Sequence, residues 1–338
     1  MAALSTAALT LGEHAKRLDP DGKTGQVVEL LSQTNEIIPD MLWREGNQPM
    51  GDQAIVRTGL PDVYFRLTNQ GTPSSTSKTA QVTEQCALLN GRSSVDKVVA
   101  EMNGNVNMLR ADEGAAFMES LNQKFSDTVF YGSSANPEEI VGLANRYSDL
   151  SAENGENIID AGGSGADNTS VWLVGWGGRS VHGIFPRASK AGVSHENMGL
   201  QDEFDASNNR YRAYMDEWDW KFGLQVRDWR YVVRIANIDV SVLIADPTGA
   251  TTNLLELMLN AVHHLPTTSG ASTDRGVVGV TPVFYANRTI AKMLDIQAMN
   301  KSNLHLTAGN EEGDQKIKLR GIPIKTVDAL TEAEAQVT

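Results

Sequence analysis

Residues 111–131, ADEGAAFMESLNQKFSDTVFY, repeat an apolar side chain at every fourth position: Phe117, Leu121, Phe125 and Val129, with Met118 widening the stripe. That spacing predicts one amphipathic helix, because side chains four apart share a face. Asp112 and Glu113 near its start suit the positive end of a helix dipole. Gly132 is expected to stop it in a left-handed cap. At 1.5 Å per residue the rod is about 30 Å long, so the chain must fold around an element as long as a small domain is wide.

The elements beyond it do not alternate regularly. A helix is expected over 251–265, on Leu254, Leu257, Met258, Ala261 and Leu265. A strand, GVTPVFYA, and a helix, NRTIAKMLDIQAMN, follow, with Asn287 as the helix N-cap. KIKLRGIPIKTV reads as strand, turn, strand, and VWLVGW and SVHGIFP as a hairpin closed by Gly177-Gly178. In WKFGLQVRDWRYVVRIANID the apolar parity switches near Arg227-Asp228, which predicts a bend in a long strand pair. The stretch from Glu196 to Asp219 is acidic and polar and carries no clear period. This mixture predicts an α+β fold, and 338 residues leave room for one large domain or two smaller ones.

Residues 53–89 predict strands around a soft centre. Val63, Phe65 and Leu67 alternate with Tyr64, Arg66 and Thr68, and Ala80 and Val82 with Gln81 and Thr83. Between them RLTNQGTPSSTSKTA is nearly all turn residues, and the flanking strands are too short and polar to be domains. The segment therefore reads as the tip of a long hairpin that must lie on something else. The first residues are weakly periodic and read as an arm needing an external partner. Within NEIIPDMLWREGN, Pro39 stops a helix while Ile37, Ile38, Met41, Leu42 and Trp43 cluster as an adhesive patch.

The sequence carries no recognisable catalytic, cofactor-binding or metal-binding motif. A net charge of −13 argues against sequence-specific DNA binding through a basic face. DPDGKTG has Arg17 where a phosphate loop needs glycine, and the glycines of DAGGSGADN lack a βαβ context. Adjacent His263 and His264 diverge by about 100° on a helix and cannot share a metal. His182 and His305 are isolated, and a hydrogen-bonded strand histidine is the ordinary reading. The single cysteine, Cys86, excludes an internal disulfide and reads as a buried core residue. No catalytic, cofactor or metal site is expected. No stretch approaches the ~20 apolar residues of a membrane span and none resembles a signal peptide, so a soluble product of a reducing cytoplasm is expected. Of six tryptophans, four are expected in the core, and Trp43 is the best candidate for an intermolecular anchor.

Taken in order, NEIIPDMLWREGN, RTGLPDVYFRLTNQG, TAQVTEQCALL, FYGSSANPEEIVGLANRY, NTSVWLVGWGGRSVHGIFP, DWRYVVRIANID, VFYANRTIAKMLDIQAMNKS and GIPIKTVDAL run through about 300 residues. This series resembles the major capsid proteins of tailed bacteriophages, the short-tailed (podovirus) group in particular, which share the Hong Kong 97-like fold. The resemblance implies an N-terminal arm over 1–45 and an extended β-hairpin loop over 46–87. It implies a peripheral domain over 88–150 with its spine helix at 111–131, an axial-domain or loop region over 151–215, and an axial domain over 246–338. Residues 216–245 resemble peripheral-domain strands that precede GIPIKTV rather than follow it, so a permuted segment order is expected.

The function so implied is structural: self-assembly, through pentamers and hexamers, into an icosahedral head around double-stranded DNA that is held non-specifically. A scaffolding protein during assembly, a portal protein and a cement or decoration protein are the further partners implied, in the virion and, before it, the host bacterial cytoplasm. No membrane is involved. Candidate inter-subunit contacts are Ile37, Ile38, Met41, Leu42 and Trp43, with Tyr64, Arg66, Asn69 and Lys78 on the hairpin. Lys16, Arg17 and Lys23 are the candidates for facing DNA. Lys78 is the one tempting donor for a covalent crosslink, and none is expected. Deleting 1–45 is expected to leave folded subunits that form no shells. An encapsulin-type compartment holding enzyme cargo is the alternative on the same fold, and a soluble metabolic enzyme the alternative outside it.

Overall fold

The computed structural model describes residues 31–102, 105–205, 207–266, 279–300, 306–311 and 314–338. Along the chain the strands are β1 (Trp43–Glu45), β2 (Gly51–Gly59), β3 (Lys78–Gln85) and β4 (Ala87–Asp96). Helices α1 (Lys97–Glu101), α2 (Val106–Tyr131) and α3 (Leu143–Arg146) follow. Next come β5 (Ile158–Asp160), β6 (Asn168–Trp176), β7 (Val181–Phe185), β8 (Val193–Phe204), β9 (Arg210–Val226) and β10 (Val232–Asp239). Helices α4 (Val240–Ala245) and α5 (Leu254–His264), strand β11 (Thr281–Ala286) and helix α6 (Arg288–Asn300) lead to β12 (Leu306–Glu311), β13 (Asp314–Leu319) and β14 (Ile322–Thr326). The architecture is α+β, in two compact units, and α2 and β9 each run from one unit into the other.

The first unit takes in Leu88–Asp127 and Gly192–Lys221. The long helix begins at Val106, five residues before its expected start at 111, because the Asn105 side chain accepts from the Met108 amide at 3.3 Å. Asp112 and Glu113 therefore lie past its first turn. Leu121 and Phe125 are buried, whereas Met118 is exposed and does not widen the stripe. The partner of this helix is the antiparallel hairpin β8–β9, paired from Val193↔Trp220 to Phe204↔Arg210 around a bulge between Asn197 and Gly199. Phe117 stacks on Trp218 at 4.8 Å and Phe125 on Trp220 at 4.4 Å. Arg110 grips Asp216 with two bonds of 2.8 and 2.6 Å, and His195 adds a third at 3.0 Å. Burial pushes the Asp216 carboxyl up, and these bonds outweigh it and hold the group below its ordinary range. The stretch read as merely acidic and polar is thus the wall on which the helix rests.

The second unit takes in Asn35–Ala87, Thr128–Ala191 and Phe222–Thr338. Its sheet runs β12-β13-β14-β11-β6, with β10 along the other side of β6 and β5 beyond it. β6 is buried at all nine positions, as a strand covered on both faces must be. One face puts Val171 and Leu173 in a core with Leu254, Met258 and Ala261 of α5 and Ile290, Met293 and Leu294 of α6. The other presents Trp172, which meets Phe130 and Tyr147 edgewise or tilted at 6.1 and 6.2 Å. Asn287 caps α6, its Oδ1 accepting from the Ile290 amide at 2.8 Å, as the sequence predicts. The turn from β13 to β14 places Arg320 and Gly321 at φ 52° and 82°, the paired left-handed residues of a tight hairpin turn.

Three sequence expectations change here. VWLVGW and SVHGIFP do not form a hairpin: β6 and β7 meet only at Trp176↔Val181, in parallel, and β7 pairs instead with β1 and the end of β9. The Gly177 turn folds back on itself, its amide bonding to Val181 O and the Ser180 hydroxyl to Gly175 O. The parity switch at Arg227-Asp228 is a short 3-10 turn, Trp229–Tyr231, between two strands that do not pair with each other. β10 lies in the same sheet as β9, β11 and β14. Gly132 is not left-handed. It is glycine because a Cβ there would lie 2.2 Å from the Ile140 carbonyl oxygen.

Candidate functional site: surfaces for assembly

β2 and β3 form the antiparallel arm, in register from Gly51↔Gln85 to Gly59↔Lys78. Its base is clamped. Arg146 grips Glu84 with two bonds of 2.6 and 2.7 Å, and Arg227 grips the buried Asp52 at 2.7 Å. The backbones at Gly46 and Gly51 approach so closely that a Cβ on either would fall within about 2.3 Å of a carbonyl oxygen, Gly51 O and Glu84 O respectively. Beneath the arm, Cys86 is buried, and its thiol is pushed up to about 11 by burial and then by Asp52, which leaves it protonated and unreactive.

Residues 60–77 at the far end form no strand, contrary to the alternation of Val63, Phe65 and Leu67. The alternation is real, but no strand lies beside it to pair with. What order the tip has is local: Gln70 N bonds to Leu67 O, Asn69 turns the chain at φ 66°, and the Ser75 hydroxyl donates to Asp62 O. Asn69 is therefore a turn residue first. The side chains are bare: Val63 is 91% exposed and Phe65 109%, with Leu60 and Leu67 not far behind. Tyr64, Arg66 and Lys78 are exposed on the same arm. A run of large apolar groups in water marks a surface meant for a partner.

The segment before the arm is different. Ile37 and Met41 are buried within the chain's own second unit, and this overturns their reading as inter-subunit contacts. Asp40 ties the segment down, accepting from Lys325 Nζ at 2.6 Å and the Tyr285 hydroxyl at 2.8 Å. Trp43 is half-buried over Gly183, Ile38 is half-buried, and Leu42 remains exposed. Four tryptophans, Trp172, Trp176, Trp218 and Trp220, are buried in the fold, as expected. Lys16, Arg17 and Lys23 lie outside the described residues, as does His305.

Two buried features escaped the sequence reading. His182 is fully buried, and neither ring nitrogen has a hydrogen-bond partner, contrary to the ordinary strand histidine. Burial, with Arg227 and Arg44 nearby, depresses it to about 4; Asp52 and the backbone at Gly177 oppose this weakly. Residues 327–337 latch onto the core. Glu334 receives Arg234 at 2.7 Å and also the hydroxyls of Ser170 and Tyr131, while Asn237 bonds to both the amide and the carbonyl of Val337. The charged Arg234 amid VVRIA was the available signal for a buried partner, but nothing in the local pattern pointed to Glu334.

Among the described residues no group of acidic, histidine or cysteine side chains is placed to hold a metal, and no helix is long and apolar enough to cross a membrane. A family model described as "Major capsid protein GP7" matches residues 19–338. A chain of the cryo-EM structure of bacteriophage Epsilon15 is 30% identical, with 100% of both chains covered and a TM-score of 0.79. The capsid of bacteriophage JBD30 is 6% identical over 89% of this chain and 93% of that one, at a TM-score of 0.49. The SrpI encapsulin complex of Synechococcus elongatus is 10% identical over 63% and 92%, at 0.40. No curated protein sequence matches the chain.

Proposed function

The chain belongs to the family of the major capsid protein GP7, and from that premise we propose that it is the head subunit which, guided by a separate scaffolding protein, encloses the double-stranded DNA of a short-tailed phage. Its fold is the Hong Kong 97-like capsid fold, and its role in the shell is structural. Copies of the chain assemble with one another into an icosahedral shell. A portal protein and a cement or decoration protein complete the proposed head, put together in the bacterial cytoplasm.

The observation that carries this reading is the arm: a base fixed by two ion pairs and close backbone contacts, and a tip of bare apolar side chains. A monomeric globule gains nothing from such an arm, whereas a shell of identical copies supplies a surface for each tip to cover. The net charge of −13 fits a wall that should not grip its polyanionic contents. The encapsulin reading shares the fold, but no observation here favours it.

The test is expression in bacteria with and without the candidate scaffolding protein, followed by negative-stain electron microscopy. Closed shells of uniform diameter are expected when both are present. Only monomers or small oligomers under every condition would overturn the proposal.

A further inference from the structure

A cleft of about 790 Å³ opens beside the base of the arm. Its walls carry four guanidiniums, Arg57, Arg179, Arg227 and Arg230, against two carboxylates, Glu153 and Asp228. Arg230 is engaged by Asp228 at 2.8 and 2.9 Å, and Arg227 by Asp52, although the Arg227 Nε is buried without a partner. Arg57 and Arg179 are exposed and make no ion pair among the described residues. Ile55 and Trp229 add apolar wall. An arginine-rich cleft with an aliphatic and an indole side chain suits a ligand that carries carboxylates beside an apolar group, since guanidinium binds carboxylate through a flat fork and sheds water readily.

The chain offers such a ligand at the tip of the β8–β9 hairpin. Asp202, Glu203, Phe204 and Asp205 are consecutive, and Phe204 is half exposed. Asp205 accepts from the Ser207 and Asn209 amides and so shapes the turn, Arg210 lies 5.5 Å from the Phe204 ring centroid, and Glu203 is 3.7 Å from Arg92. Asp202 is held most loosely, 3.7 Å from Arg212 with both side chains more than half exposed. We propose that the cleft receives the acidic tip Asp202–Asp205 of a second copy of this chain. The inference rests on the capsid reading above and deepens it by naming one contact between subunits. Cleft and tip are different surfaces, so the contact is head-to-tail and propagates around a ring. A nucleic-acid backbone fits less well: Glu153 and Asp228 repel a run of phosphates, which would also leave Ile55 and Trp229 unused.

The full chain is expressed with its scaffold as wild type, as Arg57→Glu/Arg179→Glu, as Asp202→Arg/Asp205→Arg, and as the four changes combined. Each double variant is expected to yield soluble, folded subunits and about tenfold fewer shells, with recovery in the combination. Failure of the wild type to form shells would sink the capsid reading itself. Wild-type shells with undiminished shells from Arg57→Glu/Arg179→Glu would sink the cleft alone. Normal shell yield with loss of retained DNA would assign the cleft to phosphate and overturn the proposal. Should the reversals misfold, Arg179→Lys keeps the charge and supplies an amine that can be coupled to a carboxylate. Shells mixed from isotopically light and heavy Arg179→Lys chains are then treated with carbodiimide. A link from the substituted position to the 202–205 region of the other isotope is expected; a link elsewhere, or none, overturns the contact.

Discussion

At Arg234 a guanidinium is held almost wholly out of water by Glu334, by Ser170 and by the Tyr147 carbonyl, and it lies 5.1 Å from the Trp172 ring centroid. Removing one partner of a buried ion pair leaves the other charge stranded. Glu334→Ala is therefore expected to cost about 3–5 kcal/mol in chemical denaturation of unassembled subunits. Arg234→Met/Glu334→Leu, which removes both charges, should cost less than the single change, and an equal or greater loss would show that the pair is not the cause. His182 gives a pH dependence. Its folded value is depressed from 6.5 to about 4, so between those values the unfolded chain binds more protons than the folded one. Stability is then complete above pH 6.5 and falls by up to about 3 kcal/mol as the pH drops toward 4. His182→Gln should flatten that part of the curve, and an unchanged slope in the variant would refute the assignment.

At the scale of elements, the arm separates two roles. Its base belongs to the fold of one subunit, and its tip to contacts between subunits. Val63→Ser/Phe65→Ser is expected to leave the unfolding free energy of isolated subunits within about 0.5 kcal/mol of wild type while shell yield collapses. Calorimetry of the monomer and microscopy of the assembly read the two separately. Much of this was legible in the sequence, because the turn-rich centre of 66–80 and the fourfold stripe of α2 are local patterns. Where the reading failed, the deciding contact was remote. Val63, Phe65 and Leu67 alternate like a strand but have no neighbour to pair with, and a period cannot reveal that. The β8–β9 hairpin looked only acidic because a bulge between Asn197 and Gly199 interrupts its pairing, and because its buried aromatics, Trp218 and Trp220, answer to a helix about a hundred residues earlier in the sequence.

Across the whole molecule, the boundary between what a subunit needs and what a shell needs falls earlier in the N-terminal segment than a cut at residue 45 assumes. Asn35 bridges to Val327, and Ile37 and Met41 fill the second unit's core. Deleting 1–45 is thus expected to yield insoluble or readily unfolded protein, since losing large buried side chains costs about 2–5 kcal/mol each. Deleting 1–34 spares that core and is the variant that tests the arm's part in assembly. Thermal melts of the two soluble fractions compare them, and equal melting temperatures would show that 35–45 contributes nothing to the fold. The candidate surfaces were only half visible from sequence for the same reason. Exposure of Ile37 or Leu42 depends on strands that arrive some hundred and forty residues later or more, and an apolar cluster looks alike whether its cover is its own chain or another.

The latch at residues 327–337 also orders events in time. Arg234 gains its carboxylate partner, and Asn237 its two bonds to Val337, only after Glu334 and Val337 have been synthesised and have left the ribosome. Until then Arg234 has the Ser170 hydroxyl and the Tyr147 carbonyl but no counter-charge. A chain broken off before Glu334 would leave Arg234 without a counter-charge and is expected to be less stable than one that carries the latch.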